Sequence, residues 1–254
     1  MRDALSPPRC VRVLGVPVHD VTLCQACDIA EALIQRGGAY QFATVNPEFI
    51  MAAQRDPEFM ALLQQTALNV PDGVGVLWAA RRLGQPLRER VAGVDLVQAL
   101  CGMASAHRWR AFFLGAQPGV AERAAARMAE RFPGLMICGT FAGTPREEDA
   151  PAIVKRIANC KPQLLFVAYG APAQDKWLAR HLREVLVGEQ GLVGVGVGGA
   201  FDFIAGVQQR APLWMQRAGL EWLHRLVRQP WRWRRQLALI RFVFAVLLES
   251  ARKP

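Results

Sequence analysis

From Arg12 to Gly196 short apolar runs alternate with amphipathic stretches of helical length, and this alternation constrains the fold more than any single residue. The spacing predicts a first strand over Arg12–Val18, a helix over Cys24–Arg36, strands over Tyr40–Val45 and Ala67–Pro71, and one helix, Pro47–Gln65, between those two strands. Helices Gly73–Leu83 and Gly93–Ala106 follow. The second half reads strand Ala111–Leu114, helix Val120–Arg131, strand Leu135–Gly139, helix Arg146–Asn159, strand Gln163–Ala168, helix Gln174–Leu186 and strand Leu192–Gly196. Strands that alternate with helices of this length form right-handed βαβ units, so a Rossmann-like parallel sheet with helices on both faces is expected. Ligands of such sheets bind at the carboxyl ends of the strands.

The composition shifts once, near Arg210. From Arg210 to Pro254 nine arginines and one lysine stand against Glu221 and Glu249, so this segment holds +8 of the chain's net charge of +10. It also holds Trp214, Trp222, Trp231 and Trp233, four of the seven tryptophans. We therefore divide the 254 residues into an α/β core, 1–209, and a basic, Trp-rich helical appendage, 210–254. Arginine and tryptophan beside the run Leu237–Leu248 make the composition of a segment lying at a membrane interface. Twelve residues including Arg241 are too few to cross a bilayer, which takes about twenty. Trp233, Leu237, Ile240, Phe244 and Leu248 recur at helical spacing; packing of this stripe on the core, or on a second copy in a homo-oligomer, is the competing reading. The segment is too apolar for a nucleic-acid surface.

No apolar h-region stands in the first ten residues, so a reducing cytoplasm is the expected compartment. Cys24 and Cys27 form a C-x-x-C without a second Cys or His pair and read as buried helical thiols, not as half of a zinc site. His19, His107, His181 and His224 lack metal-ligand spacing. A nucleophile elbow, a Walker lysine and a D-x-D-like pair for a nucleotide-bound metal are all missing, so no metal is expected. Gly194, Gly196 and Gly199 satisfy G-x-G-x-x-G, which keeps an NAD-type oxidoreductase as a rival, although the βαβ unit has no room to continue. A non-enzymatic, membrane-peripheral scaffold is the second rival.

Asp72 stands between the apolar end of a strand and a glycine. It reads either as the N-cap of the helix near Gly73 or as a general base at a strand's carboxyl end. The loops Gly115–Gly119, Tyr169–Pro172 and Gly194–Asp202 are glycine-rich, and free backbone N–H groups at helix starts favour an anion such as a phosphate. Arg90 and the terminal arginines are candidates to stabilise a departing phosphate.

Thr44-Val45-Asn46-Pro47-Glu48, Pro71-Asp72-Gly73, Arg90-Val91-Ala92-Gly93-Val94-Asp95, Phe113-Leu114-Gly115, Tyr169 to Trp177, and Gly198 to Gly206 stand in one order along the chain. Together with Arg210-Ala211-Pro212 and Gly219 to Leu226, this set resembles the WecG/TagA/CpsF glycosyltransferases, glycosyltransferase family 26. The match covers about Arg12 to Arg235. It implies inverting, metal-independent transfer of a sugar from a UDP-sugar to an undecaprenyl diphosphate-linked sugar, for cell-surface polysaccharide synthesis at the inner membrane face. N-acetylmannosamine, its uronic acid and glucose are all donor sugars consistent with it.

The resemblance assigns Asp72 the role of general base and counts Arg90 as catalytic. Thr44, Asn46, Gly73, Asp95, Gly115, Gly170, Gln174, Gly198, Gly199 and Asp202 are then expected to bind substrate, with Arg90 and Gln174 on the acceptor or the donor diphosphate. Arg225 and Arg228 would close over the leaving UDP. His224 departs from the pattern, where Tyr or Phe is common.

Overall fold

The computed structural model describes residues 7–228 and 233–252. Its first elements are two short antiparallel strands, β1 (Cys10–Val13) and β2 (Val16–His19), where one strand over Arg12–Val18 was expected. Leu14 and Gly15 both take positive φ, 49° and 80°, the geometry of a tight hairpin turn. Leucine is a poor turn residue, which is why the sequence concealed the reversal.

Helix α1 (Leu23–Arg36) follows, with Thr22 and Gln25 forming a reciprocal capping box. Strand β3 (Ala39–Val45) leads into α2 (Pro47–Ala53) and α3 (Pro57–Gln65), so the single helix expected over Pro47–Gln65 is two. The first ends at Ala53 with Gln54 as its C-cap; Asp56 caps the second by accepting from Phe59 N at 3.0 Å, and a residue before proline is driven out of the helical region. Then come β4 (Leu68–Pro71), α4 (Val74–Arg82), α5 (Gly93–His107), β5 (Arg110–Gly115), α6 (Val120–Arg131) and β6 (Met136–Phe141). Helix α7 (Ala150–Cys160) begins four residues later than expected, leaving a loop after β6; β7 (Leu164–Ala168), α8 (Ala173–Val185) and β8 (Leu192–Gly196) complete the core.

Strands β3 to β8 form one six-stranded parallel sheet in the order β4-β3-β8-β7-β5-β6. The Rossmann-like α/β core is therefore as expected. The chain leaves β5 toward one edge and β7 toward the other, which splays the loops apart and opens a crevice at the carboxyl ends. Alternate strand residues feed opposite faces: Ala111 and Phe113 pack under α1, α5 and α6, while Phe112 and Leu114 pack under α7 and α8. Of the C-x-x-C pair, Cys27 is half-buried and Cys24 is exposed, contrary to expectation, because α1 turns Ala26, Ala30 and Ile34 inward instead.

A third apolar cluster joins β1, β2, α2, α3 and α4 to the far end of the chain. After α9 (Ala200–Ile204), α10 (Leu213–Arg217) and α11 (Glu221–Arg228), helix α12 (Trp233–Arg252) lies across α2 and α4. Phe242 and Val246 are 1% and 0% exposed in that cluster, and full burial of each such side chain stabilises by about 1.5–3 kcal/mol. The Phe242 ring meets Trp78 with centroids 6.5 Å apart. Leu14 N donates to Glu249 Oε2 at 3.2 Å, so the hairpin and the last helix hold each other. The other side of α12 is open: Ile240, Phe244 and Leu248 are 55%, 63% and 62% exposed. The stripe read from the sequence is thus the outward face, apart from Trp233, whose side chain lies outside the described residues, as does all of Trp231. No helix among the described residues is long and apolar enough to cross a membrane.

Candidate active site

A cleft of about 1570 Å³ runs along the carboxyl ends of the sheet. All six strands deliver residues to it: Asn46 after β3, Asp72 after β4, Ala116 after β5, Gly143 to Arg146 after β6, Tyr169 to Ala171 after β7 and Val197 to Ala200 after β8. One wall is apolar and comes from Trp222 of α11 and Leu239, Ile240, Phe242 and Val243 of α12.

Asp72 does not cap the helix that follows it. Gly73 takes that position with φ 117°, and no side-chain hydrogen bond caps α4. Instead Asp72 Oδ2 accepts from Gly93 N, the first residue of α5, at 3.3 Å. The backbone fixes both ends of this contact: Asp72 N donates to Val45 O at 2.8 Å, and Val91 N donates to Pro71 O at 2.9 Å. A Cβ on Gly93 would lie 3.4 Å from Thr44 Cγ2 and 3.6 Å from Asp72 Oδ2, ordinary contact distances, which shows how near strand end, carboxylate and helix start lie to one another. Thr44 Oγ1 donates to Gly196 O at 3.0 Å, and Asn46 Oδ1 caps α2 by accepting from Phe49 N at 3.0 Å. Both side chains line the cleft, yet both serve the scaffold first.

The glycine loops are tied together by one amide. Gln174 Oε1 accepts from Gly170 N at 3.1 Å and from Gly198 N at 2.9 Å, joining the loops after β7 and β8. Gln174 is only 1% exposed, so it shapes the floor of the cleft from beneath. Gly170, Gly198, Gly199 and Asp202 line that floor; Gly115 does not, though its neighbour Ala116 does. Gly115 has φ 102°, and a Cβ there would meet the backbone of Ala168 at 2.8 Å, so glycine is needed for the close approach of two strand ends.

Beside Gln174, Asp175 is fully buried and neither carboxyl oxygen has a hydrogen-bond partner among the described residues. Burial pushes its pKa up from 3.8 to about 8, which keeps the group a neutral acid at pH 7. The folded state therefore binds this proton more tightly than the unfolded state, and its stabilisation is complete below pH 4 and lost as pH rises toward 8. Thermal midpoints of the wild type are expected to fall across that window. In Asp175→Asn that component of the slope should vanish; an unchanged profile would show that Asp175 does not titrate there.

The arginines are not free in the cleft. Arg90 Nη1 pairs with Glu221 Oε2 at 2.9 Å, Glu221 Oε1 accepts from Arg210 Nε at 3.1 Å, and Arg210 grips both oxygens of Asp95, Nη2 to Oδ2 at 2.8 Å. Asp95 lies outside the cleft lining and acts on Arg210, which lies in it. Arg228 is exposed, donates to Gln209 Oε1 at 3.2 Å and does not line the cleft; the side chain of Arg225 lies outside the described residues. Glu221 and Arg210 escaped the sequence reading as site residues. The available signal was that Glu221 is one of only two acids in a segment of +8. Tyr169, which opens a loop singled out in the sequence, lines the cleft as well, as do Trp78 and the loop after β6, which had no sequence signal beyond their place after a strand or at a helix start. No cluster of three His, Cys, Asp or Glu side chains fit to hold a metal occurs among the described residues.

One positioned carboxylate, an arginine held by a carboxylate, and paired glycine loops around a single cleft define an α/β enzyme of the group-transfer kind. The chain belongs to the glycosyl transferase WecG/TagA/CpsF family, whose profile matches residues 11–254. It is similar to the N-acetylglucosaminyldiphosphoundecaprenol N-acetyl-beta-D-mannosaminyltransferases of three bacteria. The Bacillus subtilis protein is 35% identical over 243 residues, 94% of this chain and 91% of the relative. That of Bacillus spizizenii is 37% identical over 85% of this chain and 81% of its own, and that of Staphylococcus aureus 30% identical over 85% and 83%. The chain is accordingly a glycosyltransferase, and the oxidoreductase and scaffold readings fall away.

Proposed function

We propose that this enzyme transfers an N-acetylmannosamine unit, with inversion and without a metal, from a UDP-sugar to a lipid diphosphate-linked N-acetylglucosamine in cell-surface polysaccharide synthesis. The observation that carries the reading is the seat of Asp72: a carboxylate at a strand's carboxyl end, held by the N–H of Gly93, between glycine loops suited to phosphate and the apolar wall of α12. The acceptor hydroxyl gives its proton to Asp72 as its oxygen attacks the anomeric carbon. The bond from that carbon to the diphosphate breaks, and its electron pair leaves on the phosphate oxygen. Arg90 and the arginines of the segment after Arg210 counter the charge that builds there.

The relatives' names supply the acceptor and the transferred sugar. The open apolar face of α12, together with the basic terminal segment, supports work at the inner membrane surface, where a lipid-linked acceptor is held. The test is a panel of UDP-N-acetylmannosamine, its uronic acid and UDP-glucose offered to the purified enzyme with vesicle-bound acceptor. Product from the first alone, undiminished by EDTA, is the expected outcome. Turnover of another donor instead would reassign the sugar, and a requirement for added divalent ions would refute the metal-free step.

A further inference from the structure

Four charges of alternating sign, Asp95, Arg210, Glu221 and Arg90, run in one chain of contacts from the first turn of α5, through α11, to the loop that precedes α5. Arg90 and Asp95 flank Gly93, so the chain of charges forms a loop around the segment whose N–H holds Asp72. Arg90, Glu221 and Arg210 side chains are 18%, 20% and 22% exposed, which shields these pairs from solvent more than ordinary surface pairs. The roles within the chain differ. Arg210 spends Nε on Glu221 and its two terminal nitrogens on Asp95, a rigid planar bridge that lysine cannot copy. Glu221 splits its two oxygens between two arginines, so it can release Arg90 and stay bound to Arg210. Glu221 is also the one ionic partner of Arg90 among the described residues.

We propose that Arg210 and Glu221 are positioning residues for transfer. Arg210 latches α11 to the start of α5, and Glu221 aims Arg90 into the cleft and balances its charge until a substrate diphosphate takes its place. This deepens, and rests on, the sugar-transfer reading above. Because a carboxylate on Arg90 must give way to a diphosphate, removing its charge has opposite effects on binding and on turnover. Without the negative charge Arg90 attracts the diphosphate more strongly, but it is no longer aimed at the position where charge builds in the transition state.

The test uses the full chain with Glu221→Gln, Glu221→Asp, Arg210→Gln and Arg210→Lys. In Glu221→Gln, kcat is expected to fall by about tenfold or more while one KM falls, since misplacement of a remote positioning group can cost up to about a hundredfold. Tighter UDP binding by calorimetry assigns Arg90 to the donor diphosphate; a lower acceptor KM with unchanged UDP binding assigns it to the acceptor. Glu221→Asp and Arg210→Lys should recover part of kcat, and Arg210→Gln should lower it. Unchanged kcat and KM in Glu221→Gln, or a lower thermal midpoint with every KM unmoved, would overturn the proposal by reducing the chain to a structural tie. Failure of the wild type to turn over any sugar nucleotide would instead refute the functional reading. The latch is still decided in that event by amide hydrogen exchange at residues 91–95: faster exchange in Arg210→Gln supports it, and unchanged exchange overturns it.

Discussion

Asp72→Asn is expected to abolish sugar transfer in a protein that is folded and still binds UDP. Asparagine keeps the size of the side chain and an oxygen that can accept from Gly93 N, so the contact between β4 and α5 survives. What it loses is the capacity to take a proton. General-base catalysis contributes about 10²–10⁴-fold, and the loss should reach at least the lower figure because Asp72 is the carboxylate that Gly93 N holds in place at the start of α5. Product formation and UDP calorimetry, run on the same preparation, check the two halves together. Activity within about tenfold of wild type would remove Asp72 from the base's role.

The second large effect concerns the membrane. Replacing Phe244, Leu247 and Leu248 together by serine is expected to release the enzyme from lipid vesicles, while Phe242 and Val246 still hold α12 on α2 and α4. Three side chains, each contributing about 1–2 kcal/mol when moved from water to the lipid interface, should weaken binding by at least about a hundredfold. Vesicle cosedimentation measures this directly, and transfer to a water-soluble short-chain acceptor should persist. Binding within about threefold of wild type would mean that the open face of α12 is not what meets the lipid. Truncation after Arg210 is the blunter experiment. It removes lipid binding and turnover together, but it also deletes Glu221, so it cannot separate the membrane from the latch.

The alternation of strands and helices was legible because each apolar run that becomes a strand is bounded by glycine or a polar turn, and the parallel sheet followed from it. Two breaks were missed for local reasons. Leu14 carries a positive φ that leucine seldom adopts, and Asp56-Pro57 is a helix-stop signal hidden inside an otherwise continuous apolar period. At the site, Asp72, Thr44, Asn46 and Gln174 were all read to one cleft, and all line it. What sequence could not carry was pairing at long range. Asp95 and Arg210 are 115 residues apart and Arg90 and Glu221 are 131 apart, so no periodicity links them. In retrospect the two acids of the basic segment were the clue. Glu221 reaches Arg90 of the core and Glu249 reaches the hairpin, so each marks a place where that segment is fastened down.

The clasp between the hairpin and α12 also orders events during synthesis. The third apolar cluster is begun by some of the first described residues and finished by some of the last, Phe242 and Val246. On the ribosome the parallel sheet can assemble from its own strands, whereas β1, β2, α2 and α4 wait with an open apolar surface until α12 emerges. The open apolar stripe of α12 therefore leaves the ribosome only with the element that closes this surface. A nascent chain is thereby spared a period in which both apolar faces of α12 stand open on an unfinished enzyme.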